Sequence, residues 1–309
     1  MGTSQKRQQP IVIWRLVDNK AGHQNQSLGL TNALAMKIAC DTYTIDITDH
    51  PLPWRSLFYK YWPHPKALPR PNLVIGAGRK THSHLLAVKY CFAAKAIVLM
   101  RPSLPLCCFD MALIPQHDGY FKQNNIVMTQ GALNPIRPSN QHQPQYSLIL
   151  LGGPSKHFQW NSKSIVAQLK ALIVANPDHY YHITTSRRTP TELTPLLHSL
   201  SANRVEITPF EATTPEWLQQ QLANAGQCWV TEDSVSMIYE ALTAQTAVGL
   251  LNLKIIKSNR LSRGITTLIE QGLVRRFNHH QPTQQPKVTK QFTEADRCAD
   301  IVVKKWFES

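Results

Sequence analysis

The stretch IVIWRLVDNKAGHQNQSLGLTNALAMKI, residues 11–38, sets the reading of the whole chain. Residues 11–17 make a short β-rich run, residues 18–26 a polar patch, and helical spacing of apolar residues follows over 24–39. A plain strand-to-helix connection needs only a turn former and a helix cap. This one gathers Asp18, Lys20, His23 and Gln26 around a single glycine, Gly22. It reads as a loop furnished to meet a ligand, at the point where a strand hands over to a helix.

The same succession repeats outward. Strands are expected at 43–47, 72–75, 95–99, 111–114 and 126–128, and helices at 54–61 and 81–92. Short apolar runs bounded by Gly, Pro, Asn or Asp, each followed by a helix, imply a mostly parallel sheet covered on both faces. The Pro- and Gln-rich NPIRPSNQHQPQ, residues 134–145, interrupts the pattern and reads as a linker. The alternation then restarts, with strands expected at 146–151, 180–184, 204–207, 228–230 and 247–251. Helices are expected at 162–175, 190–201, 215–223, 234–243 and 262–271, and a last one at 293–306. The chain is thus α/β, with two Rossmann-like domains expected at 1–140 and 141–290 and a C-terminal helix within 291–309. Sheets of this kind bind ligands at the carboxyl ends of their strands, so the two lobes are expected to face one another across a cleft.

Composition fits a globular protein: 309 residues, 42% hydrophobic and 17% charged. Disorder is expected only in the first ten or so residues and around 279–287. No apolar run reaches membrane-span length, and the basic, Gln-rich start lacks the apolar core of a secretory signal, so a cytoplasmic protein is expected. Six scattered cysteines form neither a disulfide framework nor a zinc pattern, and reduced, mostly buried thiols are expected. The pairs His82/His84 and His279/His280 lack spaced carboxylate or cysteine partners, so no metal site is expected. A net charge of +14 attracts phosphate-bearing molecules, anionic lipid or nucleic acid; without a finger, an aromatic ribonucleoprotein motif or a long basic helix, nucleic acid is not the expected partner.

Three motifs of the second half bear chemistry. In LILLGGPSKHF a strand runs into Gly152, Gly153, Ser155 and Lys156. Two glycines let backbone N–H groups approach an oxyanion, although an ordinary tight turn also uses them. In YHITTSRRTP a strand ends in Ser186, Arg187 and Arg188, which are either phosphate ligands or a solvated cap with surface arginines. In VTEDSVSMIYEALTAQTAV, Asp233 or Ser234 caps a helix whose early N–H groups suit an anion. Glu240, about one turn beyond Ser236, either accepts hydrogen bonds from a ribose diol or faces solvent.

The run from EITPFEATTPEWL through VTEDSVSMIYEALTAQTAV resembles the nucleotide-sugar half of GT-B glycosyltransferases. The resemblance implies that Glu240 binds ribose, that Ser234 and Ser236 lie beside the diphosphate, and that the main chain at Phe210 meets the nucleobase. It also places Gly152, Gly153 and Ser155 in the Gly-rich loop of that half. Gln245 and Ala247 stand where the signature has Gly and Pro. Together, DNKAGHQNQSLGL, NLVIGAGRKTH, LGGPSKHFQW, TTSRRTP and VTEDSVSMIYEA resemble, in order and over nearly the whole chain, the family named for mitochondrial fission, in its bacterial branch. That likeness implies a GT-B arrangement, with an acceptor lobe first and an activated sugar in the second. Gly22-His23 matches the Gly-His pair of lipid-acceptor enzymes, and VIGAGRKTHSH, with Gly76, Gly78 and Arg79, is similar to their second Gly-rich loop.

The expected reaction is metal-independent transfer from a nucleoside-diphosphate sugar, which is substrate rather than cofactor, to a lipid-linked or cell-envelope acceptor. Arg187, Arg188, Lys156 and the helix start at Ser234 would meet the leaving diphosphate. The candidate base is His23, oriented or replaced by Asp18, with Asp118 of IPQHDGY as a further carboxylate. PLPWRSLFYKYWPHPKALPR, residues 51–70, interleaves aromatic and basic residues and either fills a core or docks on an anionic membrane surface at the cytoplasmic face of the inner membrane. The other readings are a non-catalytic recruiting protein on the same shell and a nucleotide-sugar epimerase.

Overall fold

A computed structural model describes residues 9–50, 52, 62, 68–119, 123–200, 204–257 and 260–308. The helix expected at 54–61 lies outside them, as does most of the aromatic and basic stretch at 51–70. The chain divides into two units, Met1–Pro135 with Glu294–Ser309, and Ile136–Thr293. The boundary falls five residues before the expected one because Ile136 is already buried in the core of the second unit. The final helix (Glu294–Trp306) belongs to the first unit.

In the first unit β1 (Ile11–Val17), β2 (Cys40–Asp46), β3 (Leu73–Ala77), β4 (Lys95–Leu99), β5 (Met111–Pro115) and β6 (Ile126–Thr129) form one sheet in the order β2-β1-β3-β4-β5-β6. Every neighbouring pair is parallel. Successive side chains of a strand point to opposite faces, and here both faces are apolar. Ile13, Ile75, Ile97 and Leu113 enter one core with Leu30, Ala33 and Leu34 of α1 (Ala21–Ala35) and Cys298, Ala299, Val302 and Val303 of the final helix. Trp14, Val74, Val98 and Ile114 enter the other, against Leu85, Leu86 and Val88 of α2 (His82–Phe92).

The second unit repeats the plan. Its strands are β7 (Gln143–Leu150), β8 (Phe158–Gln159), β9 (Tyr180–Thr184), β10 (Val205–Thr208), β11 (Ala225–Thr231), β12 (Ala247–Leu251), β13 (Lys254–Ile255) and β14 (Val274–Arg276). Six of them make a parallel sheet ordered β10-β9-β7-β11-β12-β14, while β13 and β8 form a small antiparallel pair. Around the sheet run α3 (Ser162–Ala175), α4 (Leu193–His198), α5 (Pro215–Asn224), α6 (Val235–Thr243) and α7 (Arg260–Glu270). The chain reverses direction across the sheet between β1 and β3 in the first unit and between β7 and β11 in the second. Loops diverge at such a reversal, which opens a crevice at the carboxyl ends of the two strands.

Several expectations need correction. The first helix starts at Ala21 rather than 24 and ends at Ala35, because the Lys20 carbonyl already accepts the N–H groups of His23 and Gln24, each at 2.9 Å. Gly22 and His23 therefore belong to a helical first turn, and only 18–20 form the connection. β7 starts at Gln143, inside the expected linker. α4 starts at Leu193, after Pro190, because Thr189 is held by the turn before it: the Thr189 N–H donates to Ser186 O at 2.9 Å, and the Ser186 N–H to Thr189 Oγ1 at 2.8 Å. The 279–287 stretch is tied down by Gln285, whose Nε2 donates to Asn176 Oδ1 at 3.0 Å and lies 3.1 Å from His179 Nε2. All six cysteines are free, but only Cys228 and Cys298 are buried.

Candidate functional site

At the reversal point of the first unit, Asp18 directly follows β1, with its side chain 1% exposed. His23 follows one turn into the helical segment, with Nδ1 at 2.9 Å and 3.0 Å from the two Asp18 oxygens. A carboxylate only accepts, so Nδ1 carries a proton directed at Asp18, and Nε2 is the ring nitrogen turned away from the pair. Nε2 has no hydrogen bond among the described residues. The ring is backed by Gly78, which follows β3 with φ 82°; a Cβ there would stand 2.2 Å from His23 Cε1. The Thr81 hydroxyl closes the same loop by donating to Gly78 O at 2.8 Å. A Cβ on Gly76 would in turn stand 2.8 Å from Thr81 Oγ1, so that loop packs directly on its strand.

The side chains of the remaining candidates in this lobe make no hydrogen bond to the pair among the described residues. Lys20 and Arg79 are exposed, Gly22 is exposed with open space where a Cβ would be, and Gln26 is buried with Nε2 donating to Gly22 O at 3.4 Å. Asp118 follows β5, three strands from β1, which is roughly 14 Å across the sheet. Its carbonyl accepts from Arg101 Nη1 at 3.4 Å. His82, beside the Gly78 loop, is driven down to about 4 by burial and then by the Arg79 charge, so it stays neutral and is no proton acceptor at physiological pH.

In the second unit the reversal point brings together the ends of β7, β9 and β11. The Gly152 N–H donates to Thr231 Oγ1 at 2.8 Å, and the Gly153 N–H to Asp233 Oδ2 at 3.0 Å. Both amides are therefore used inside the protein, not held open for an oxyanion as the Gly-Gly pattern suggested. The glycines serve close packing instead, since a Cβ on Gly152 would meet Asp233 Oδ2 at 2.3 Å and one on Gly153 would meet Arg188 O at 2.1 Å. Arg188 Nη2 pairs with Asp233 Oδ2 at 2.8 Å, and Nη1 donates to Gly153 O and Pro154 O, each at 3.3 Å. The hydroxyl of Ser186 donates to Gly152 O at 2.9 Å, and that of Ser155 accepts the Phe158 N–H at 3.1 Å.

Other groups face outward. Arg187 is exposed and lies over the Phe210 ring, 5.5 Å from its centroid. The Phe210 N–H donates to Thr185 Oγ1 at 3.0 Å and its carbonyl accepts from the Thr213 hydroxyl at 2.7 Å, so the main chain expected to read a base is already engaged, and the ring is what remains. Lys156 and Ser236 are exposed. Ser234 precedes α6 without capping it, so its side chain leaves the first-turn N–H groups uncovered. Glu240 is half-buried on the same face of α6 as Ser236, and its carboxylate has no hydrogen-bond partner among the described residues. Desolvation pushes its carboxyl up to about 7.

Sequence reading missed Glu232. It is buried, accepts the Leu253 N–H at 2.9 Å, and pairs with Arg276 Nε at 2.6 Å. Its signal was its place among four consecutive polar residues, Thr231 to Ser234, at a strand end. Among the described residues, no group of three or more His, Cys, Asp or Glu could hold a metal, and no helix is long and apolar enough to cross a membrane.

Two units, each a parallel six-stranded sheet with one reversal of strand order, give this chain the GT-B fold. The chain belongs to the mitochondrial fission ELM1 family, whose model matches residues 21–306. It is 25% identical to the uncharacterized protein RP120 of Rickettsia prowazekii (strain Madrid E), over 94% of this chain and 97% of that one. Among solved structures it is similar to the UDP-GlcNAc 2-epimerase of Neisseria meningitidis bound to UDP-GlcNAc, with TM-score 0.57, 10% identity, and coverage of 97% and 100% of the two chains. It is also similar to MurG of Acinetobacter baumannii, with TM-score 0.50, 11% identity, and coverage of 96% and 100%. At these identities the likeness speaks for the fold alone.

Proposed function

We propose that the protein transfers a sugar from a nucleoside-diphosphate sugar to a hydroxyl of a lipid-linked or cell-envelope acceptor. The Asp18–His23 pair carries the reading, since a binding or recruiting protein has no use for a histidine whose tautomer is fixed by a buried carboxylate. His23 Nε2 takes the acceptor proton as the acceptor oxygen bonds to the anomeric carbon. The bond from that carbon to the diphosphate oxygen breaks, and the nucleoside diphosphate leaves.

The second unit holds the donor in this proposal. Glu240 accepts from the ribose hydroxyls, and the Phe210 ring, with Arg187 above it, offers a face for the base. Arg187, Lys156 and the first turn of α6 supply the positive field for the leaving group, so the reading includes no cofactor or metal. The net charge of +14 suits work beside an anionic membrane, and we place the reaction on the cytoplasmic face of the inner membrane.

The test is incubation with UDP-, GDP-, ADP- and CMP-sugars, with and without a polyprenyl-phosphate-linked acceptor. Acceptor-dependent release of nucleotide that His23→Ala abolishes is the expected result. Interconversion of the nucleotide sugar without an acceptor would make the protein an epimerase, a reading that the similarity of its fold to such enzymes keeps in play. Failure to bind any nucleotide would leave the recruiting role.

A further inference from the structure

Thr231, Glu232 and Asp233 are consecutive, yet their side chains reach three different parts of the rim of the second unit. Thr231 holds the turn after β7 through the Gly152 N–H, and Glu232 holds the segment after β12 and the end of β14 through the Leu253 N–H and Arg276. Asp233 joins the turn after β7 to the loop after β9 by accepting from Gly153 and Arg188 on one oxygen. The Asp233 side chain has 0% exposure, so it is closed off from any ligand, whereas that of Arg188 is 45% exposed. Every hydrogen bond of the Arg188 guanidinium runs back into the protein. Neighbouring Arg187 is exposed and carries no ion pair among the described residues, only the Phe210 ring beneath it.

We propose that Asp233 is a positioning residue that locks Arg188 and the Gly152-Gly153 turn in place before a donor arrives, leaving Arg187 as the guanidinium that meets the diphosphate. The proposal rests on the nucleotide-sugar reading above. Two adjacent arginines would otherwise compete for the same anion, each losing side-chain freedom on binding. Anchoring one of them beforehand makes it part of the wall and removes that loss from the binding step. The anchored guanidinium also neutralises Asp233, which would otherwise repel a diphosphate at the same rim.

The experiment measures binding of inorganic pyrophosphate and of UDP by calorimetry, alongside amide exchange of the ligand-free protein. Arg187→Ala is expected to weaken pyrophosphate about tenfold or more, whether Asp233 is present or replaced by Asn. Asp233→Asn and Arg188→Ala are each expected to weaken it about threefold to tenfold and, combined, to do no worse than either alone, because both open one latch. Arg188→Lys, which keeps the charge pair, restores most of the loss. Full additivity of Asp233→Asn and Arg188→Ala would make Arg188 a direct ligand and overturn the division of roles. Tighter binding in Asp233→Asn would make Asp233 a competing anion and overturn it as well. In the ligand-free protein, the Gly152 and Gly153 amides should exchange faster in Asp233→Asn and not in Arg187→Ala; unchanged exchange overturns the latch by itself. No binding of pyrophosphate or UDP to the wild type would overturn the role of Arg187 together with the nucleotide reading, a failure distinct from that of the latch.

Discussion

The imidazole of His23 rests on the α-carbon of Gly78, so closely that the smallest side chain at 78 would overlap the ring. Gly78→Ala should therefore lower turnover nearly as far as His23→Ala, by about 10²-fold or more, although residue 78 has no reactive group of its own. The positive φ adds a backbone cost of about 1 kcal/mol to stability. Steady-state kinetics with thermal melts separates the two effects: Gly78→Ala loses both activity and stability, and His23→Ala mainly activity.

Asp118→Ala should reduce kcat/KM much less than His23→Ala or Asp18→Asn, because Asp118 follows β5, three strands from the β1 end that carries Asp18 and two from the Gly78 loop behind the histidine. A loss as deep as that of His23→Ala would move the base to Asp118.

Glu240 gives the protein a pH signature. Its folded pKa of about 7 lies above the ordinary value of 4.5, so between those values the folded state holds more protons than the unfolded one, and stability falls as pH rises through the window. Glu240→Gln removes this term. Relative to wild type the variant should gain on the order of 2–3 kcal/mol at pH 8 and little at pH 4, measured by denaturant melts. Nucleotide binding should run the opposite way in the wild type. A ribose diol donates to the carboxylate, so affinity should rise as pH increases through about 7 and flatten in Glu240→Gln.

Arg276→Ala should destabilise the second unit by about 2 kcal/mol, since it leaves Glu232 buried with only the Leu253 N–H as partner. Arg276→Ala with Glu232→Gln should recover part of the loss in urea melts.

Much of the fold could be read directly. Leu73–Ala77 and Ala247–Leu251 are buried apolar runs followed by Gly78 and Asn252, and sheets covered on both faces demand such runs. Val274–Arg276 escaped notice because it has three residues, two of them arginines, and becomes a strand only by pairing with β12. The start of α1 was displaced because lysine is not a capping residue and nothing local marks it. At the site, the separation of β1 and β3 hid the fit of Gly78 to His23. The Gly-Gly turn misled for a related reason: its amide acceptors, Thr231 and Asp233, lie 79 and 80 residues along the chain. Local pattern shows that glycines are needed, whereas whether a ligand or a carboxylate fills the space beside them is settled by distant chain.

The place of the final helix bears on how the protein is made. Ile136–Thr293 is a continuous segment and can complete its sheet as soon as it has left the ribosome. The first unit, synthesised earlier, must keep the apolar face of Leu30, Ala33 and Leu34 uncovered until Cys298, Ala299, Val302 and Val303 arrive. Order of synthesis and order of completion are thereby inverted, and the unit that carries the Asp18–His23 pair becomes whole only after the whole second unit has been synthesised.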